Sequence, residues 1–180
     1  CPHEDGTLPF SLDITDFVKA GENELVVSVW DPSNAKGYFQ ALGKQDLRPK
    51  GCMYTRVSGI WQTVWLEKVP ATHITGYKVV ADIDNGTVAV TVEAAGNLKD
   101  ADATVTVLRG GKRIARGSVE VWDKPVVLKI RDALLWSPDS PNLYDLKIEL
   151  TANGCARDSV AGYFGMRKIE WRKDEKGVPR

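Results

Sequence analysis

Beyond Pro70 the chain repeats one device seven times: a short segment of alternating apolar and polar residues, closed by a turn signal. Leu146, Ile148 and Leu150 alternate with Asp145, Lys147 and Glu149, and Val126, Leu128 and Ile130 alternate with Val127, Lys129 and Arg131. A period of two sends successive side chains to opposite sides of a strand, so each segment has one side for a core and one for its surroundings. Seven such strands in about 100 residues predict an immunoglobulin-like β-sandwich. Asn85-Gly86 predicts a type I′ hairpin between residues 79–83 and 88–92, and Gly110-Gly111 marks a second hairpin after Val105 and Val107. Only Cys155 falls in this region, so no inter-sheet disulfide is available and burial alone must hold the core.

The residues before Lys68-Val69-Pro70, which read as a hinge, carry strand signals of a different kind. Glu24 to Trp30 reads as a strand with Leu25, Val27 and Val29 on one side. Ile60, Thr63, Val64 and Trp65 suit a buried strand covered on both sides, with Trp65 in its core. Thr15 to Ala20 reads as a single capped helical turn ended by Gly21. Residues 31–53 break the pattern with Pro, Gly, Asn, Lys and Gln, and a loop of that length in a small domain points to function. Tyr38 and Phe39, side by side within it, argue for order.

Charge narrows the functional classes. Lys plus Arg equals Asp plus Glu at 24 each, and no basic run exceeds two residues, so nucleic acid is not an expected partner. The apolar runs are far shorter than the ~18 residues of a membrane span, so no membrane is expected either. Cys1, Cys52 and Cys155 lack metal-ligand spacing, and His3 and His73 have no partners that would form a triad; no metal and no cofactor are expected. The chain opens on Cys1 rather than Met, so the natural N-terminus is expected to lie upstream, and localisation, whether periplasmic, secreted or cytoplasmic, stays open.

Four stretches carry a family resemblance. YT…SGIWQTVWLE, residues 54–67, resembles the segment that closes the N-terminal sugar-binding domain of family 2 glycoside hydrolases, the β-galactosidase and β-glucuronidase group. LPFSLDITDFVKAGENELVVSVWD (8–31), LLWSPDSPNLYDLKIEL (134–150) and DSVAGYFGMRKIE (158–170) follow in the family's order. The resemblance implies an all-β chain: residues 1–69 as the C-terminal half of a sugar-binding, galactose-binding-like jelly roll, residues 70–170 as the sandwich, and 171–180 as the start of a linker to a catalytic barrel not present here. It implies a retaining exo-hydrolase of terminal β-linked sugars as the parent, a β-galactosidase first among the options. The carbohydrate would then be a partner through that parent enzyme.

Glycoside hydrolysis needs two carboxylates, which the family takes from its barrel, so no catalytic residue is expected in this chain. Asn23-Glu24 imitates the family's catalytic dipeptide but stands where a turn should precede a strand, and Asp13, Asp16 and Asp31 read as caps and turns. In some family members the loop before the GIW strand offers an aspartate to the sugar; that position falls near Met53 here, with Asp46 the nearest acid. Tyr38, Phe39, Gln45, Asp46 and Tyr54 are therefore the candidates for a sugar-facing rim, since rings stack on sugar C–H groups and amides meet hydroxyls. Half a jelly roll leaves strand edges open, and a homo-oligomeric contact through residues 8–30 or 60–67 is expected to cover them. The rival expectation is a free-standing carbohydrate-binding or adhesive β-sandwich.

Overall fold

The computed structural model describes residues 2–32, 41, 43–120 and 124–179. The chain divides into two units, Cys1–Leu66 and Glu67–Arg180. Its described regular structure is almost all β, and no helix is long and apolar enough to cross a membrane.

The second unit holds seven strands: β3 (His73–Asp82), β4 (Thr87–Ala95), β5 (Ala101–Arg109), β6 (Lys112–Glu120), β7 (Val126–Lys129), β8 (Tyr144–Ala152) and β9 (Cys155–Phe164). They form two antiparallel sheets, one ordered β3-β4-β7 and the other β6-β5-β8-β9. This is the expected immunoglobulin-like sandwich. Its core is the set of inward positions that the alternation marks. Leu146, Ile148 and Leu150 on β8 lie opposite Val107, Val105 and Ala103 on β5, and all six are buried. Val88 and Val90 on β4, with Val126 and Leu128 on β7, supply the facing layer. Fully burying one such side chain stabilises the fold by about 1.5–3 kcal/mol, so these rows outweigh any exposed ion pair in the unit.

Close approaches mark both open sides of the sandwich. On one side the Ile74 N–H donates to Asp158 Oδ2 at 2.8 Å, joining the starts of β3 and β9, and the Tyr77 phenol lies directly over Gly162. On the other, Gly117 of β6 faces β7 so closely that a Cβ there would stand 2.8 Å from a Leu128 methyl.

One turn differs from expectation. Asp82 pairs with Thr87, so Asn85-Gly86 ends a four-residue loop and Asn85 does not adopt the positive φ of a type I′ turn. The Asp82 carboxylate is the cause: it accepts from the Asn85 backbone N–H at 2.9 Å and from its side-chain amide at 2.7 Å, a closure available only to the longer loop. Gly110-Gly111 does form the two-residue hairpin, with φ of 54° and 76° between paired Arg109 and Lys112. Asn153-Gly154, with φ of 51° and 71°, makes another between β8 and β9.

The segment crossing from β7 to β8 is organised by Tyr144, which is fully buried. Its hydroxyl accepts from the Leu134 N–H at 2.7 Å and donates to the Leu134 carbonyl at 3.2 Å, while its ring stacks on Phe164 at 5.3 Å. This is the tyrosine corner of sandwich proteins, in which a tyrosine entering a late strand ties back to the preceding crossover. The Trp136 N–H donates to the Met166 carbonyl at 2.9 Å, and the Arg167 guanidinium lies 5.1 Å from the Trp136 ring.

The first unit departs from the sequence reading. Residues 22–30 and 60–66 form no strand, and Trp65, expected in a core, is 74% exposed. A strand apolar on both sides is stable only with neighbours on both edges and both faces. Among the described residues of this unit the sole ladder is a two-rung parallel pairing of β1 (Gln45–Asp46) with β2 (Tyr54–Thr55). The helical turn is present as a 3-10 turn, Thr15–Phe17, with Asp13 Oδ1 accepting from the Thr15 N–H at 2.9 Å and its hydroxyl at 2.6 Å.

Two measurements check this account. Leu146→Ala should destabilise the second unit by about 2–5 kcal/mol in urea unfolding, and a loss below about half a kcal/mol would contradict the inward assignment. The Asn85 bonds hold the Asp82 carboxyl below its ordinary value of 3.8. A depressed folded pKa stabilises above 3.8, and that contribution disappears as pH falls below it. The urea midpoint should therefore fall on acidification through that window, and fall less steeply in Asp82→Asn.

Candidate functional site

The rim candidates lie in and around the loop that joins β1 to β2. Parallel neighbours ordinarily need a crossover of a dozen or more residues, yet here only residues 47–53 intervene. The pairing is thus a clip within a loop. Asp46 Oδ1 accepts from the Arg48 N–H at 2.8 Å and starts the turn. The Met53 N–H donates to the Lys50 carbonyl at 3.2 Å, and the Tyr54 N–H to the Lys44 carbonyl at 2.7 Å, which brings the two strands together. Gln45 Oε1 accepts from the Val57 N–H at 2.7 Å and carries the clip one step further.

Three of the five candidates therefore meet on one element. Gln45 and Tyr54 stand opposite each other in the ladder, with Asp46 next in register. Gln45 and Asp46 are half-buried, whereas Tyr54 is 69% exposed and presents its ring outward. The Gln45 carbonyl oxygen is occupied by Val57 and one Asp46 oxygen by Arg48, which leaves the Gln45 amide N–H groups and the Tyr54 ring and hydroxyl as recognition groups. Tyr38 and Phe39 lie outside the described residues. The tie from Gln45 to Val57 spans twelve residues and has no signal in local sequence.

The imitation of a catalytic dipeptide is resolved by geometry. Asn23 Oδ1 accepts from the Lys19 N–H at 3.0 Å, and its amide donates to the carbonyls of Lys19 at 2.8 Å and Gly21 at 3.0 Å. With all of this spent on closing one turn, Asn23 is a structural residue, and Glu24 lies exposed beside it. Lys19, Glu22, Asn23 and Glu24 line only an open surface dent. Among the described residues no group of three or more His, Cys, Asp or Glu side chains is placed to hold a metal ion.

Residues 72–167, more than half of the chain and nearly the whole sandwich, match the family model described as Glycosyl hydrolases family 2. The chain belongs to glycoside hydrolase family 2. A β-galactosidase of Thermoanaerobacter pseudethanolicus is 29% identical over 197 residues, covering 97% of this chain and 24% of that protein. A protein of Formosa agariphila, named as a candidate β-glucuronidase, is 29% identical over 189 residues, covering 94% of this chain and 20% of its own length. The chain thus spans about a fifth of the length of the curated relatives it matches. Among solved structures, the crystal structure of Ruminococcus gnavus β-glucuronidase superposes with a TM-score of 0.50 at 20% identity, over 58% of this chain and 17% of that one, a likeness of fold.

For this family 2 chain, Gln45→Ala should open the clip. The Val57 amide should exchange faster with solvent deuterium while the amides of β8 keep their protection; unchanged exchange at Val57 would show that the Gln45 bond holds nothing.

Proposed function

We propose that this chain is a non-catalytic portion of a family 2 β-glycosidase, which hydrolyses terminal β-linked sugars, and that it supports a catalytic barrel and shapes its mouth. The observation that carries the reading is the family 2 sandwich over residues 72–167, in a chain whose relatives are four to five times longer. In this reading residues 1–69 are the C-terminal half of the sugar-binding jelly roll, 70–170 the immunoglobulin-like domain, and 171–180 the lead into the barrel. The exit path is well suited to that task. Lys168 Nζ bonds Asp84 of the β3–β4 loop at 2.6 Å and Glu170 at 2.8 Å, and Glu170 also pairs with Arg172. These exposed pairs add little stability, but they set a direction for the chain as it leaves the sandwich.

The finer reading is a β-galactosidase, with Tyr54 and the Gln45 amide on the sugar side of the rim and Asp46 shaping their loop. A neutral galactoside needs ring stacking and amide-to-hydroxyl bonds, which this pair supplies. Tyr38 and Phe39 belong to the same proposed rim.

The test is hydrolysis of chromogenic β-galactosides and β-glucuronides by this 180-residue chain and by the product of the full reading frame that contains it. The chain alone should be inactive, and the full product should turn over the galactoside, with KM raised by Tyr54→Ala and kcat little changed. Turnover by the chain alone that vanished with Glu24→Gln would overturn the non-catalytic assignment. A full product without any hydrolase activity would favour a binding or adhesive sandwich.

A further inference from the structure

The chain exposes 14618 Å² of surface for a mass of 19.8 kDa. Two separately folded bodies sharing that mass would expose only about 10,000 Å² together, so roughly 4,000 Å² is surplus, whatever the placement of the units. The second unit has a closed core, and the large apolar side chains that lack cover are concentrated in the first. Phe10 is 51% exposed, Leu25 71% and Val64 59%. A standard interface removes about 800 Å² per partner, so the surplus is on the scale of large obligate interfaces. A small ligand could not cover it.

The pattern of the uncovered residues favours one occupant. Residues 8–12, 25–29 and 60–66 each place apolar side chains at every second position for most of their length. Drawn into strands, they would make a three-stranded layer with a continuous apolar side, which is the least that supports a stable sheet but still needs a facing layer. A second copy brings a layer of the same composition, and a two-fold axis lets one apolar side meet itself. We infer that two copies of this chain associate through residues 8–30 and 60–66 to form a two-layered sandwich from their first units, each layer ordering as the other covers it. This inference rests on surface and alternation and is independent of the glycosidase reading.

Sedimentation velocity across a dilution series, paired with amide hydrogen exchange, tests it. The expected result is a dimer in which the amides of residues 25–29 and 60–66 are protected, and which dissociates on dilution as that protection is lost. Val64→Lys should give a monomer unprotected in those segments while the β8 amides stay protected, which separates a lost interface from a failure to fold. A monomer at every concentration overturns the inference, as do masses that keep rising past two copies or a dimer indifferent to both Val64→Lys and Val27→Lys. It is equally overturned if the product of the longer reading frame is a monomer with the same segments protected, for then other parts of the same polypeptide supply the cover.

Discussion

Tyr144 carries the constraint on which the described sandwich depends. The chain must pass from the three-stranded sheet to the four-stranded one between β7 and β8, and a crossing segment exposes backbone polar groups that have no ladder to enter. The Tyr144 hydroxyl answers both groups of one residue, receiving the Leu134 N–H and donating to its carbonyl. Its ring, stacked on Phe164, connects the start of β8 with the end of β9. From that anchor the register of β8 follows, and with it the inward row of Leu146, Ile148 and Leu150. Loss of the hydroxyl would release a hydrogen-bond pair where the crossing begins, and such a loss in a partly buried site costs about 1–3 kcal/mol.

The two units use polar side chains differently. In the second, Asp158 reaches 84 residues back along the sequence to the Ile74 N–H, and Lys168 reaches equally far to Asp84, so polar bonds fix elements that are distant in the chain. In the first, Asp5 bonds Thr7, Asp13 bonds Thr15, Asn23 bonds Lys19 and Asp46 bonds Arg48, all within four residues. One longer link is the Trp61 indole N–H, which donates to the Gly6 carbonyl at 2.7 Å. Local turns survive without tertiary cover because their geometry closes within a few residues. Ladders do not, because each strand needs a neighbour to satisfy its backbone. That difference explains why the clip at Gln45 and Tyr54 is formed while the apolar segments on either side of it remain unpaired.

The functional reading inherits this asymmetry. The sandwich identifies the family, since nearly all of it lies within the matched residues, but it presents no pair of carboxylates arranged for hydrolysis among the residues described. The candidate rim sits in the other unit, on a loop whose polar atoms are partly committed to holding its own shape. Tyr54 is the member of that group with a free face to offer.

Alternation was enough to mark the inward residues of β8, because a period of two is a property of the strand itself and does not depend on its neighbours. Glycine was enough to mark the turn at residues 110–111, because both positions there need positive φ. Asn85-Gly86 carries the same local signal and gives a different turn, since the side chain of Asp82, three residues before Asn85, closes a longer loop. Asn153-Gly154, with no such competitor, takes the two-residue form. The role of Tyr144 depends on a bond ten residues away, and the Gln45 clip on one twelve residues away. The fate of residues 22–30 and 60–66 depends on cover from outside their own sequence. Short-range sterics and periodicity are written residue by residue, whereas pairing is decided only when distant segments meet and the free energy of burial exceeds the entropy of ordering them.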